Sequence, residues 1–208
     1  MSLSENLCSV SHRSARTCLR EATMPWHARL EQTAFAQVPL SADVSTRDYA
    51  GHLATWFAVI APLEERIVRC LSAAEARALA GCAWRYAPRQ ADLARDLAAL
   101  GEPVTMPAPA VWPSHLLPTS TWTAIGAAYV LEGSRLGGQL IARHLRASLG
   151  EAVPLAYYGG GLAQWHAFLS VLELEDAMHN LEHMVSGAVE AFCGIHECVT
   201  GVSTPRAA

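Results

Sequence analysis

His27 lies in the run Leu19-Arg20-Glu21-Ala22-Thr23-Met24-Pro25-Trp26-His27-Ala28-Arg29-Leu30-Glu31. On a helix, three- and four-residue spacing puts Arg20, Thr23, His27, Leu30, Glu31 and Ala34 on one face. Glu31, one turn after His27, can then accept a hydrogen bond from the imidazole Nδ1–H, directly or through water. That leaves Nε2 free to bind a metal. A second run, Ala127-Ala128-Tyr129-Val130-Leu131-Glu132-Gly133-Ser134-Arg135-Leu136-Gly137-Gly138-Gln139, has helical character but an unusual load of glycine. Gly126, Gly133 and Gly137 recur at helical spacing on one face, with Gly138 beside them. Each internal glycine forgoes roughly 1 kcal/mol against alanine, so the helix gives up about 4 kcal/mol. Two readings account for this: a close helix crossing, or bare backbone against which a flat ligand lies. A phosphate loop is a poor reading, because no Lys-Ser/Thr ending follows and the glycines fall inside a helix.

Helices must carry both runs, and the pattern is helical almost throughout from Ala15. Ser45-Thr46-Arg47-Asp48 makes a capping box for a helix through Tyr49, Leu53, Trp56, Phe57 and Ile60. Pro62 falls inside its continuation to Leu71, which predicts either a kink or two helices. Further helices are expected over 73–87 and over 90–100, the latter stopped by Gly101. Five prolines between 101 and 119 predict an irregular connection, long enough to serve as a wall of a binding site. A helix over 121–149 ends at Gly150, and the turn Tyr158-Gly159-Gly160-Gly161 leads to closing helices over 162–173 and 176–199. Strand-like alternation is scarce, so the fold class is all-α with a single domain over 15–200. Residues 1–14 and 201–208 read as tails, the first of them mobile.

At 208 residues the chain can bury a full core. With 51% hydrophobic and 16% charged residues it is globular rather than disordered. A net charge of −4 without a basic stripe argues against nucleic acid or an anionic membrane as partner. The six cysteines show no CxxC spacing, and no apolar run suits a signal peptide or a membrane span. A cytoplasmic protein with reduced thiols is the expectation.

Three groups of residues together resemble a known family. Leu19-Arg20-xx-Thr23-xxx-His27-xx-Leu30-Glu31 is similar to the proximal helix of biliverdin-producing haem oxygenases. Tyr129-Val130-Leu131-Glu132-Gly133-Ser134-xx-Gly137-Gly138-Gln139 resembles their distal helix. Trp165-xx-Phe168 with Leu172-Glu173 resembles the bacterial branch, in particular enzymes that accompany bacteriophytochromes. The resemblance runs from about residue 15 to 195 and implies a helical bundle holding haem between the two helices.

By that match His27 is the axial ligand of the haem iron and Glu31 its hydrogen-bonding partner. Gly133, Ser134 and Gly137 lie on the distal side, where O2 binds and bends toward one edge of the macrocycle. Arg20, Thr23, Tyr129, Gly138 and His166 fall among the positions that surround the cofactor. Arg20 and Tyr129 are suited to the propionates, while His166 stands where many members carry arginine. Ser134 replaces the aspartate that many animal-type members place after the first distal glycine, which routes the proton relay through water, Ser134 and backbone. The implied reaction consumes haem, O2 and electrons from an external donor (a reductase, ferredoxin or flavodoxin). It releases biliverdin, carbon monoxide and ferrous iron, and a bacteriophytochrome is an implied acceptor of the biliverdin. A non-catalytic haem carrier or sensor on the same scaffold is the alternative, and a plain helical interaction module the third reading.

Other signals have simpler explanations. His179-Asn180-Leu181-Glu182-His183 matches an inverted zinc-protease motif. Too little chain follows it to supply a third ligand and catalytic domain, so a solvated face is expected. Arg135, Arg143 and Arg146 read as a solvated stripe, suited to docking an acidic electron donor.

Overall fold

The computed structural model describes residues 13–71, 79, 82–101 and 106–201, and among them there is no strand. Eight α-helices follow one another among the described residues: α1 (Ala15–Glu31), α2 (Ala34–Gln37), α3 (Thr46–Cys70), α4 (Gln90–Leu100), α5 (Thr121–Leu149), α6 (Ala163–Leu169), α7 (Glu175–His179) and α8 (Leu181–Thr200). Short 3-10 turns occupy Val38–Leu40, Ser114–Leu116 and Ser170–Glu173. The all-α expectation holds.

Helix ends follow their local chemistry. Ser14 caps α1 by accepting from the Thr17 amide at 3.2 Å. The Ser45–Asp48 capping box forms as expected and starts α3. Ser120 and Thr123 cap α5 in the same reciprocal way. Gly101 ends α4 with φ +65°, a conformation in which a Cβ would be strained.

Pro62 does not divide α3, which runs unbroken from Thr46 to Cys70. Lacking an N–H, it leaves the Ala58 carbonyl without its helical partner. The Ala110 amide fills that place at 2.9 Å, and the Trp112 indole donates to the neighbouring Val59 carbonyl at 2.8 Å. The proline-rich connection is thereby tied to the back of α3. Its Trp112 ring lies flat in the notch that Gly194 leaves on α8, where a Cβ would collide with the ring.

Three expectations need correction here. Residues 82–87, the described part of the helix expected over 73–87 apart from Leu79, are irregular, as are 88 and 89; 73–78, 80 and 81 lie outside the described residues. The helix expected over 176–199 breaks at Asn180 into α7 and α8, with the Asn180 side chain bonded back to the Asp176 carbonyl. The expected helix over 162–173 tightens to 3-10 geometry after Leu169. Residues 1–12 and 202–208 lie outside the described part of the chain.

The core is a single apolar cluster reaching from Leu19 of α1 through Leu53, Ile60, Leu63 and Ile67 of α3 to Ile125 of α5 and Met184 of α8. Each such side chain is worth about 1.5–3 kcal/mol when withdrawn fully from water. Helices α5 and α8 approach most closely where glycines face backbone. A Cβ on Gly126 would strike the Met184 carbonyl and the Ala188 amide, and one on Gly187 would strike the Thr123 carbonyl. This crossing fixes the N-terminal part of α5 against α8.

Candidate functional site

A cavity of about 540 Å³ opens between α1 and the middle of α5. From α1 it takes Arg16, Arg20, Thr23, Met24, His27 and Leu30. From α5 it takes Tyr129, Val130, Leu131, Gly133, Ser134 and Leu136. Trp56 of α3, Trp165 of α6, and Phe192 and Ile195 of α8 complete the wall. Its size lies in the usual range for small-molecule sites, and most of its lining is apolar or aromatic with few polar groups.

On the α1 wall, His27 Nδ1 stands 3.3 Å from Glu31 Oε2. A carboxylate only accepts, so this contact puts the imidazole proton on Nδ1 and reserves Nε2 for a metal. The side chain is 61% exposed, and its ring meets the Phe192 ring edge-on at 6.0 Å. Thr23, which shares the face, is buried and donates its hydroxyl to the Leu19 carbonyl at 2.7 Å. It packs within the wall instead of presenting a free hydroxyl.

The α5 glycines, expected to act together, divide by depth. Gly126 belongs to the helix crossing. Gly133 lines the cavity, and a Cβ there would touch only the Trp165 ring, at 3.7 Å. Gly137, one turn further, is exposed and has no atom within 4 Å of a Cβ position; it does not line the cavity. Gly138 faces Tyr158 instead. The helix-crossing reading is realised at Gly126, while at Gly133 the helix leaves bare backbone at the cavity. Ser134 lines the cavity and donates its hydroxyl to the Leu131 carbonyl at 2.7 Å.

One side of the cavity is basic. Arg16 and Arg20, one turn apart on α1, flank the Tyr129 hydroxyl across from them. Burial pushes the Tyr129 phenol up, while the Thr23 hydroxyl and the two arginines pull it back. Arg16 escaped the sequence reading, although its four-residue spacing to Arg20 and eleven-residue spacing to His27 place it on the same face. His166 is exposed on α6 and outside the cavity lining. The proline-rich connection contributes none of its described residues to the wall, contrary to expectation. Arg135 is not on a solvated stripe: it is 7% exposed and pairs with Glu132 at 2.5 Å, while Arg143 and Arg146 are exposed. His179 and His183 are exposed on separate helices, and no metal-binding group of three or more His, Cys, Asp or Glu exists among the described residues.

A family profile for haem oxygenase matches residues 13–200. The chain belongs to the haem oxygenase family. Membership makes it an enzyme of haem degradation. A haem oxygenase from Xanthomonas campestris pv. campestris is 35% identical over 133 residues, 61% of this chain and 76% of that protein. The fold also matches the haem oxygenase of Leptospira interrogans, with a TM-score of 0.61 and 18% identity, over 91% of this chain and all of that one. It likewise matches haem oxygenase-1 of the cyanobacterium Synechocystis, solved in complex with haem, with a TM-score of 0.62 and 14% identity, over 91% and 92% of the two chains.

The residues present suit haem. An imidazole whose Nδ1 faces a carboxylate can present Nε2 to iron, and the Gly133 backbone leaves room for a flat ring. Two arginines beside a phenol suit a pair of carboxylates.

Proposed function

We propose that this haem oxygenase binds haem in the α1–α5 cavity, with His27 as axial ligand, and opens the ring to biliverdin, carbon monoxide and ferrous iron. The observation that carries the proposal is the His27–Glu31 pair and the Gly133 backbone on the two helices that wall one cavity, with Arg16 and Arg20 at its edge. Bound haem supplies the redox chemistry, being both cofactor and substrate, and draws on O2 and an external electron donor such as a reductase, ferredoxin or flavodoxin.

The chain supplies position, access and proton management. Glu31 holds the imidazole tautomer and orientation. A neutral histidine ligand pushes less electron density than a thiolate and so does not favour O–O cleavage. Gly133 keeps side-chain atoms off the α5 wall of the cavity, leaving room for O2 there. Arg16, Arg20 and Tyr129 hold the propionates by charge-assisted hydrogen bonds and so set how the ring is rotated. Ser134 serves the relay as a small hydroxyl that can turn from the Leu131 carbonyl toward bound water. His166 is exposed on α6 and outside the cavity lining, so the propionates are assigned to Arg16, Arg20 and Tyr129.

The resemblance of Trp165-xx-Phe168 and Leu172-Glu173 to phytochrome-associated enzymes supports a bacteriophytochrome as acceptor of the biliverdin. No helix of the described residues is long and apolar enough to cross a membrane, in keeping with a cytoplasmic site of action.

Aerobic reduction of the hemin-loaded protein by ascorbate or a ferredoxin–reductase pair tests the proposal. The haem band is expected to give way to biliverdin with release of carbon monoxide. A haem spectrum that survives reduction in air would assign the scaffold to carriage or sensing instead.

A further inference from the structure

Behind the cavity, the aromatic side chains form a connected series that haem binding alone does not require. Trp56 lines the cavity and donates its indole N–H to the Tyr157 hydroxyl at 2.6 Å. The Tyr157 and Tyr158 rings meet edge to face at 5.0 Å. The Tyr158 hydroxyl then lies 2.6 Å from His52 Nε2. His52 Nδ1 faces the Phe35 carbonyl at 3.2 Å, and a carbonyl only accepts; Nδ1 therefore carries the proton and Nε2 is the acceptor for the Tyr158 O–H. Tyr158 and His52 are both under 10% exposed, at 8% and 5%.

The two tyrosines differ in one respect that matters for redox chemistry. A phenol loses an electron readily only if its proton leaves at the same time. The Tyr157 oxygen accepts from Trp56, and none of its hydrogen bonds gives it a base to take its own proton. Tyr158 has such a base at hydrogen-bond distance. Burial keeps His52 neutral, lowering its pKa to about 4, so the base is available at neutral pH. Burial also pushes the Tyr158 phenol well above its ordinary value, which forbids simple ionisation and leaves proton-coupled oxidation as its route.

We propose that Trp56, Tyr157 and Tyr158 form a conduit that carries an oxidising equivalent out of the cavity and stores it on Tyr158, with His52 as proton acceptor. The oxidant is a one-electron oxidant at the cavity, of which peroxide-treated haem is the physiological kind; to that extent the idea rests on the haem reading above. The oxidant takes one electron from the Trp56 indole. Trp56 is refilled from Tyr158 by way of Tyr157, and the Tyr158 hydroxyl proton moves to His52 Nε2. The net change is one electron gained by the oxidant, a neutral tyrosyl radical at Tyr158 and an imidazolium at His52. The benefit is protection: damage is moved from the haem-facing wall to a buried phenol that a cellular reductant can restore.

The test is electron paramagnetic resonance on frozen samples of the whole chain, oxidised in two ways. One sample is hemin-loaded and mixed with hydrogen peroxide. The other has no haem and is flashed with a ruthenium polypyridyl photo-oxidant plus a sacrificial acceptor, so that oxidation starts without haem. Both should give a tyrosyl signal that narrows when ring-deuterated tyrosine is incorporated. Tyr158→Phe should lower that signal several-fold, and Trp56→Phe should slow its appearance. His52→Gln, which keeps a hydrogen-bonding group but no comparable base, should also weaken it. Circular dichroism of each variant separates these losses from unfolding. A tyrosyl signal undiminished in folded Tyr158→Phe overturns the conduit, as does no tyrosyl signal in the photo-oxidised wild type. Failure to bind hemin, with the photochemical radical intact, would remove the haem reading and leave the conduit standing.

Discussion

Two glycines of α5, eleven residues apart on one face, should respond to the same substitution with opposite signs. At Gly137 an added Cβ has no atom within 4 Å. Alanine there recovers only the helical propensity that glycine forgoes, about 1 kcal/mol. In a domain of this size 1 kcal/mol moves the melting temperature by roughly 2–4 °C, so Gly137→Ala should raise it by about 3 °C. At Gly126 the same Cβ would be driven into the Met184 carbonyl and the Ala188 amide, both backbone atoms of α8. A side chain could swing away, but a helix backbone cannot, so the two helices must separate along their tightest contact. Overpacking of this kind costs about 1–3 kcal/mol and sometimes more, which outweighs the propensity gain. Gly126→Ala should therefore lower stability by about 1–2 kcal/mol, roughly 3–6 °C. Urea denaturation of the haem-free protein, followed by far-ultraviolet circular dichroism, reads both changes. Stabilisation by both substitutions would mean that α5 and α8 do not cross at Gly126. Destabilisation by both would mean that Gly137 is covered.

Other consequences can be checked as directly. His52 is buried neutral, with a pKa near 4 against an ordinary 6.5. A depressed pKa on a base gives stability that is complete above pH 6.5 and is lost as the pH falls toward 4, because the unfolded chain takes up the proton first. That amounts to about 3 kcal/mol. The destabilisation caused by His52→Asn should shrink by about that amount between pH 7 and pH 4 in denaturant titrations; a penalty independent of pH would contradict the buried neutral ring. Glu31→Gln should weaken hemin binding about tenfold, since partners of metal-ligating histidines commonly contribute that much or more; unchanged affinity would show that the exposed Glu31 does not orient His27. Replacing Arg16 and Arg20 together by alanine should weaken hemin binding several-fold and flatten its dependence on salt, as expected for exposed ion pairs. An unaltered salt dependence would place the propionates elsewhere.

Local chemistry in the chain revealed more than its tertiary consequences did. The His27–Glu31 contact follows from four-residue spacing alone, and the Ser45–Asp48 cap from a four-residue motif. Spacing could not say that Gly126 and Gly133 do different work, because a repeat defines the face of a helix and not which neighbour stands at each height. Arg135 shows the same limit. Its charge reads as solvated until the loop bearing Tyr157 and Gly160 closes over α5, although its partner Glu132 stands only three residues earlier. The Ala-rich stretch before Gln90 has helical propensity, yet residues 82–89 are held irregular by tertiary bonds, among them the Arg89 amide to the buried Glu64 carboxylate at 2.9 Å. Pro62 was ambiguous for a related reason: whether a helix survives a proline depends on who satisfies the freed carbonyl, and that partner, Ala110, is 52 residues away in the chain.

The central claim is that haem sits between α1 and α5 with His27 on its iron. Titration of His27→Gly with hemin, followed by visible and electron paramagnetic resonance spectra, tests it most directly. The claim predicts loss of the histidine-ligated spectrum and its return when free imidazole is added to fill the space the side chain leaves. A variant whose hemin spectrum matches the wild type without imidazole would show that another residue holds the iron.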